Sequence, residues 1–220
     1  MVVSRPETET HVAGRGRIEA MSRDRDIQAF DDRARSYEEG WLGRLHHDIA
    51  DRVVDIALAR APGAETVLDV GCGTGYLLRQ MAARLPEATR LEGVDPAPTM
   101  VEVARASAGQ DERIHFQTGT AEQLPFSNRE FQLVISTTSF DHWADQRAGL
   151  AECLRVMTRG GRFVLADQFS AWLAPTLLIG HRGRARTTSA TNILLREVGF
   201  RGLKWHGLGI LLVKAVSATA

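Results

Sequence analysis

Apolar positions along the chain change their period twice, and each change marks a change of element. Phe30, Ala34, Tyr37 and Trp41 recur at helical spacing, with Gly40 and Gly43 interrupting the pattern, and Leu45, Ile49, Val53 and Ile56 then mark an amphipathic helix that Pro62-Gly63 closes. Short apolar strands follow, the first of them a buried one. They are Thr66–Val70, Thr89–Val94, Arg113–Gln117, Gln132–Ser136 and Arg162–Asp167. Between them the helical period returns: at Leu77, Leu78, Met81 and Leu85, from Ala97 to Ala106, and from Gln146 to Met157, after which Gly160-Gly161 turns the chain into the fifth strand. Such alternation predicts a parallel sheet with helices on both faces.

The end of the chain leaves that rhythm. A helix over Thr191–Val198 stops at Gly199, and two strands, Leu203–His206 and Gly209–Ala215, follow with one tight turn at Gly207 between them. Strands joined so closely are antiparallel. The predicted architecture is therefore α/β: a Rossmann-like three-layer αβα sandwich around a seven-stranded, mostly parallel sheet, with a C-terminal antiparallel hairpin and an N-terminal helical lid. Residues 1–25 read as a polar tail in which Met21 is an alternative start, 26–62 as the lid and 66–220 as the core of a single domain.

Composition narrows the partners. Of 220 residues, 27 are basic and 27 acidic, which argues against nucleic-acid or membrane-surface binding. No apolar run is long enough to span a bilayer, and the N-terminal segment lacks the core of a signal peptide. Cys72 and Cys153 fit no metal spacing and no disulfide framework, so a reducing, cytoplasmic setting is expected and no metal.

The chemistry concentrates in Val67-Leu68-Asp69-Val70-Gly71-Cys72-Gly73-Thr74-Gly75-Tyr76-Leu77. Glycines where a buried strand turns into a helix let backbone pass close to a ligand and present helix N-terminal amides to it. Asp95, at the end of the next strand, is placed to accept hydrogen bonds from ribose hydroxyls; alternatively it caps the following helix with Pro96 at the first helical position.

These residues resemble the class I S-adenosylmethionine methyltransferases, in particular the branch near the ubiquinone and menaquinone biosynthesis enzymes. The likeness runs from Thr66 to Asp167 through VLDVGCGTGYL, GVDPAPTMVEVA, GTAEQLPF, FQLVISTTSFDHWAD and LAECLRVMTRGGRFVLAD. It implies S-adenosylmethionine as methyl donor, S-adenosylhomocysteine as product, and a small-molecule acceptor attacking through O, N or C. It further implies cofactor contacts from Tyr37, Asp69, Gly71, Cys72, Gly73, Gly75, Asp95, Pro96, Met100, Thr120, Ala121, Glu122 and Ser136. Thr120 stands where the family usually has Asp, and Arg159 where it usually has Pro. A nicotinamide oxidoreductase shares the turn-plus-acid arrangement, but has a different glycine pattern; a methyltransferase acting on RNA or protein is the other alternative. Nothing in the sequence reads oligomeric state.

Asp141 and His142, after the fourth strand, are the candidates for a catalytic base, though the resembled family often carries His at this place without using it as a base, so a structural role for His142 comes first. Phe140, Trp143, Phe169 and Trp172 are candidates for an apolar acceptor pocket, and His181, Arg182, Arg184 and Arg186 for a clamp on an acceptor carboxylate or phosphate. His46 and His47 fall on the polar side of the first helix, where solvation is the expectation; the alternative is that they face the acceptor pocket if the helix folds over the site.

Overall fold

The computed structural model describes residues 27–169, 187–210 and 212–220. The expected tail, together with Trp172, His181, Arg182, Arg184 and Arg186, lies outside the described residues. Seven strands form one sheet in the order β3-β2-β1-β4-β5-β7-β6. They are β1 Thr66–Val70, β2 Arg90–Asp95, β3 Ile114–Thr118, β4 Phe131–Thr137, β5 Met157–Gln168, β6 Arg201–Gly207 and β7 Val213–Thr219. The first five run parallel; β7 inserts antiparallel between β5 and β6.

The helices are α1 Gly40–Arg60, α2 Tyr76–Arg84, α3 Pro98–Ala108, α4 Gln146–Val156 and α5 Thr188–Val198, with residues 27–33 helical ahead of them. Alternation along each strand sorts the core into two layers. Val67, Leu91, Leu133, Ile135 and Val164 pack with Val53, Val54, Ala57, Leu78 and Met81 of α1 and α2. Leu68, Val134, Phe163 and Leu165 pack on the other face with Leu150, Cys153 and Val156 of α4 and Leu194 and Leu195 of α5. The second half of α1 thus belongs to the outer layer, while its first half overhangs the carboxyl ends of the strands.

The hairpin and the fifth strand differ from expectation. The last strand spans Val213–Thr219 rather than Gly209–Ala215, and Gly207 closes the first arm instead of making a tight turn, with Gly209 at φ +67° beyond it. The Gly160-Gly161 turn lies inside β5: Phe131 pairs with Met157 but Leu133 already pairs with Arg162, so the extra residues bulge out of the ladder.

Candidate active site

Strand order reverses between β1 and β4, and at such a switch point open α/β sheets leave a crevice beyond the carboxyl ends of their strands. A cleft over that point is floored by Val70, Gly71, Gly73, Val94 and Asp95 and walled by Pro96, Ala97, Met100, Thr120, Ala121 and Glu122. Phe30, Tyr37, His142 and Trp143 close it from the other side.

Its backbone geometry depends on glycine. Gly71 has φ +78°, and a Cβ there would lie 2.3 Å from Ser139 Oγ. Gly73 has φ +50° and faces open space, with nothing within 4 Å of a Cβ. Gly75 lines no cavity; a Cβ on it would strike the Phe116 ring at 2.4 Å, so its bareness lets α2 seat against β3.

Asp95 is held from both sides. Its Oδ2 accepts from the Gly73 N–H at 2.9 Å and its Oδ1 from the Ala97 N–H at 2.9 Å. Burial pushes its carboxyl above the usual range, and those amides oppose the shift. The helix-cap alternative does not hold: Ala97 is the capping residue, with no side-chain cap bond, the first helical proline is Pro98, and Pro96 is left to line the cleft.

Asp69 is the least satisfied group in the region. It is 2 % exposed, its Oδ1 has no hydrogen-bond partner, and burial, reinforced by Asp95, pushes its pKa up to about 8. It lines a second cavity, together with Gly71, Cys72, Gly73, Tyr37, His46, His47 and Thr137. Thr137 Oγ1 is likewise buried without a partner. Cys72 keeps its thiol protonated, because burial raises it well above the ordinary value.

The lid is fastened to the glycine loop by residues that the sequence reading passed over. Glu38 Oε1 accepts from the Thr74 hydroxyl at 2.6 Å and from Arg79 Nη2 at 2.9 Å, while Arg79 Nη1 donates to the Thr74 carbonyl at 2.7 Å. Burial works to raise the Glu38 carboxyl, but these donors outweigh it and hold the group below its usual value. Arg44, Asp48, Arg52 and Asp55 of α1 are exposed, but His46 and His47 turn toward this network, so the expectation of solvation gives way to the alternative that they face the site. His47 stacks on Tyr76 at 3.8 Å and reaches Glu38; His46 stacks on Tyr37 at 5.0 Å. Spacing carried no signal for this, since nothing local says which surface the helix overlies.

A third cavity, about 390 Å³, lies between the lid and the ends of β4 and β5. Phe30, Leu42, Leu45, Ile49 and Val213 give it apolar walls, and Asp141, His142, Asp167 and His46 give it polar ones. Tyr37 and Thr138 border all three cavities, so the three meet there. Thr138 holds φ +51°, a strained conformation for a β-branched residue. Burial drives the Tyr37 hydroxyl up to about 12, keeping it neutral. Asp167 accepts from the Asp141 N–H at 3.3 Å and the Gln168 N–H at 2.7 Å, and burial, with Asp141 beside it, pushes it up to about 7. His142 Nε2 lies 3.3 Å from Asp141 Oδ1, and its ring meets Phe30 edge-on.

Other expected residues fall elsewhere. Ser136 is fully buried beneath the floor, bonded to Ser139 Oγ at 2.8 Å, and borders none of these cavities. Phe140 and Phe169 are core, whereas Trp143 lines the first cleft. Among the described residues no cluster of His, Cys, Asp or Glu is arranged to hold a metal, and no helix is long and apolar enough to cross a membrane.

Comparison with known proteins follows this geometry. Residues 67–161 match the family model described as a methyltransferase domain. Over 133 residues the chain is 37% identical to a demethylmenaquinone methyltransferase of Deinococcus radiodurans, covering 55% of each protein. Over 163 residues it is 36% identical to the O-methyltransferase cnsE of Penicillium expansum, covering 70% of this chain and 58% of that one. The chain thus spans about half the length of the curated relatives it matches. A chain from the solved complex between the Haloferax volcanii Trm112 methyltransferase activator and a methyltransferase shares the fold. Its TM-score is 0.72 at 22% identity, over 87% of this chain and 97% of that one.

Proposed function

Residues 67–161 belong to the methyltransferase domain family, and from that premise we propose that the chain transfers a methyl group from S-adenosylmethionine to a small-molecule acceptor, releasing S-adenosylhomocysteine. The observation that carries the reading is the orphaned Asp69 carboxyl oxygen beside bare glycine backbone, one strand from Asp95. A buried acid raised to about 8 is an acid without its cation. The ammonium of an amino-acid-bearing ligand is such a cation, and Gly73 leaves the space for its chain.

When bound, the cofactor supplies a methyl carbon already activated by a sulfonium leaving group. The protein's part is to bind, orient and exclude water. Asp69 would hold the amino group and Asp95 the ribose hydroxyls, through the lone pairs its two amide bonds leave free. Met100, Pro96, Thr120, Ala121 and Glu122 would enclose the adenine, and Trp143, expected in the acceptor pocket, would join them. Tyr37 would close the lid over the methionine end. The junction at Tyr37 and Thr138 is where the methyl carbon would meet the acceptor.

Isothermal titration of the protein with S-adenosylhomocysteine and, separately, NADH tests the reading. Micromolar binding of the first and none of the second is expected; the reverse result removes the proposal.

A further inference from the structure

The third cavity and the histidine shared between it and the Asp69 cavity have no role in the reading so far. Resting on the methyltransferase reading, we propose that this cavity receives a ring-sized, largely apolar acceptor bearing a hydroxyl group, and that the imidazole of His46 takes the proton from that hydroxyl as it is methylated.

Geometry brings His46 to the right place. It borders both the cavity that would hold the methionine end and the cavity between lid and strand ends, and these meet the first cleft at Tyr37 and Thr138. Its ring is fixed by stacking on Tyr37. Its Nδ1 is buried without a hydrogen-bond partner, so that nitrogen does not serve the fold. Burial, then His47 and Arg33, hold the imidazole below its ordinary value, so at neutral pH it is in the form that accepts a proton. Asp141, His142 and Asp167 line the same cavity from the strand ends, and Arg33 and Glu39 line it from the lid.

The same surroundings select the nucleophile. An ammonium has no lone pair to attack with until it loses its proton, and Arg33 lines the same cavity. A carboxylate would meet Asp141, Asp167 and Glu39, and has no proton to give. A ring carbon makes no hydrogen bond to an imidazole before reaction. A neutral hydroxyl suffers none of these costs, and Phe30, Leu42, Leu45, Ile49 and Val213 suit an apolar ring. The acceptor oxygen gains the bond to the methyl carbon, the carbon–sulfur bond breaks to leave a neutral thioether, and the hydroxyl proton passes to His46. One positive charge is lost from sulfur and one appears on the imidazole, so the site's net charge is unchanged.

The test uses the full chain, S-adenosylmethionine and three phenols (4-methoxyphenol, phenol and 4-nitrophenol) as acceptors, following S-adenosylhomocysteine release against pH. Wild type should show an acid limb below about pH 6.5. H46Q should lose that limb and about 100-fold in kcat on phenol, in the range for a general base, and lose much less on the acidic 4-nitrophenol. H47Q should keep the limb. Independently, the imidazole proton resonance that disappears in H46Q should titrate below 6.5 and shift when 4-nitrophenol is added to the protein with S-adenosylhomocysteine bound. An unchanged acid limb in H46Q, or an equal loss on all three phenols, overturns the role of His46. Binding of S-adenosylhomocysteine without methylation of any phenol overturns the acceptor class. Failure to bind S-adenosylhomocysteine removes the underlying reading instead.

Discussion

The two sides of the crevice are built from different materials. The strand side, from Asp69 to Gly75 and at Asp95, presents backbone amides, bare glycines and two buried carboxyls, all fixed by turns at the ends of paired strands. The lid side, from Phe30 to Ile49, presents rings and histidines on a helix that reaches the site only by packing across it. Recognition written in backbone tolerates little change and can be shared by proteins with different acceptors. Recognition written in side chains on an overlying helix is free to vary. The likeness to the family model follows this division, starting at Val67 and leaving the lid outside.

The comparison breaks first if the strand side tolerates a side chain. Gly71→Ala places a Cβ 2.3 Å from Ser139 Oγ at a positive φ. Strain of that kind costs on the order of 1–3 kcal/mol, and a domain of this size should lose several degrees of Tm. Binding of S-adenosylhomocysteine should fall by about 100-fold, equivalent to about 2.7 kcal/mol. Near-normal affinity by calorimetry would show that the glycine loop does not shape the ligand site.

Asp69 gives the next largest effect, and its sign is fixed. Its folded pKa is raised to about 8, so the free protein carries the proton at neutral pH, and folding stability from this group declines as pH rises from its ordinary range toward 8. A bound ammonium favours the carboxylate. Binding of S-adenosylhomocysteine at about pH 7 should therefore release close to one proton, read from titrations in buffers of different ionisation enthalpy, and almost none at about pH 9. Asp69→Asn should abolish the release and weaken binding by about 10-fold or more, as for a lost hydrogen bond to a charged group. Proton release that persists in the variant would move the ammonium elsewhere.

The contrast between the sides also explains what was legible in the sequence. Strands β1 to β5 were located because short apolar stretches alternate with helical periodicity, and glycine turns and paired acids carry their meaning within a few residues. Strand β7 was placed four residues early because Ile210 and Leu212 extend its apolar run backwards, and nothing in residue type reveals that Gly209 turns the chain away. Ser136 was assigned to the cofactor by resemblance, yet strand alternation turns it under the floor. Glu38, Thr74, Arg79 and Asp167 were missed for one reason: their partners are distant in sequence, between 26 and 41 positions away. For the histidines of α1 the sequence left solvation and the acceptor pocket both open, because amphipathicity says which face of a helix is apolar and not what its other face meets.

Glu38→Gln sharpens the comparison from the lid side. It weakens the bonds to Thr74 and Arg79 without emptying the space. Because the side chain is 32% exposed, the expected loss is about 1 kcal/mol rather than that of a fully buried ion pair. The effect should fall on lid closure: S-adenosylhomocysteine affinity should drop about threefold, and amide exchange in α1 should quicken near His46 but not near Val53, which packs in the core. Uniform quickening along α1 would mean that the helix moves as one body and that the lid is not separable from the outer layer.

The smallest effect separates floor from surface. Ser139 Oγ donates to the Val70 carbonyl at 3.0 Å and lies 3.3 Å from Trp143 Nε1, while Ser136 joins it from below. Ser136→Ala removes one buried hydroxyl and leaves the other two bonds of Ser139 intact, at a cost of about 1 kcal/mol in stability. If the strand side binds its ligand through backbone and carboxyls alone, S-adenosylhomocysteine affinity should be unchanged within about twofold while Tm falls. A larger loss of affinity would mean that the serine pair holds Gly71 in register from beneath, and that the strand side, too, depends on side chains one layer removed from the ligand.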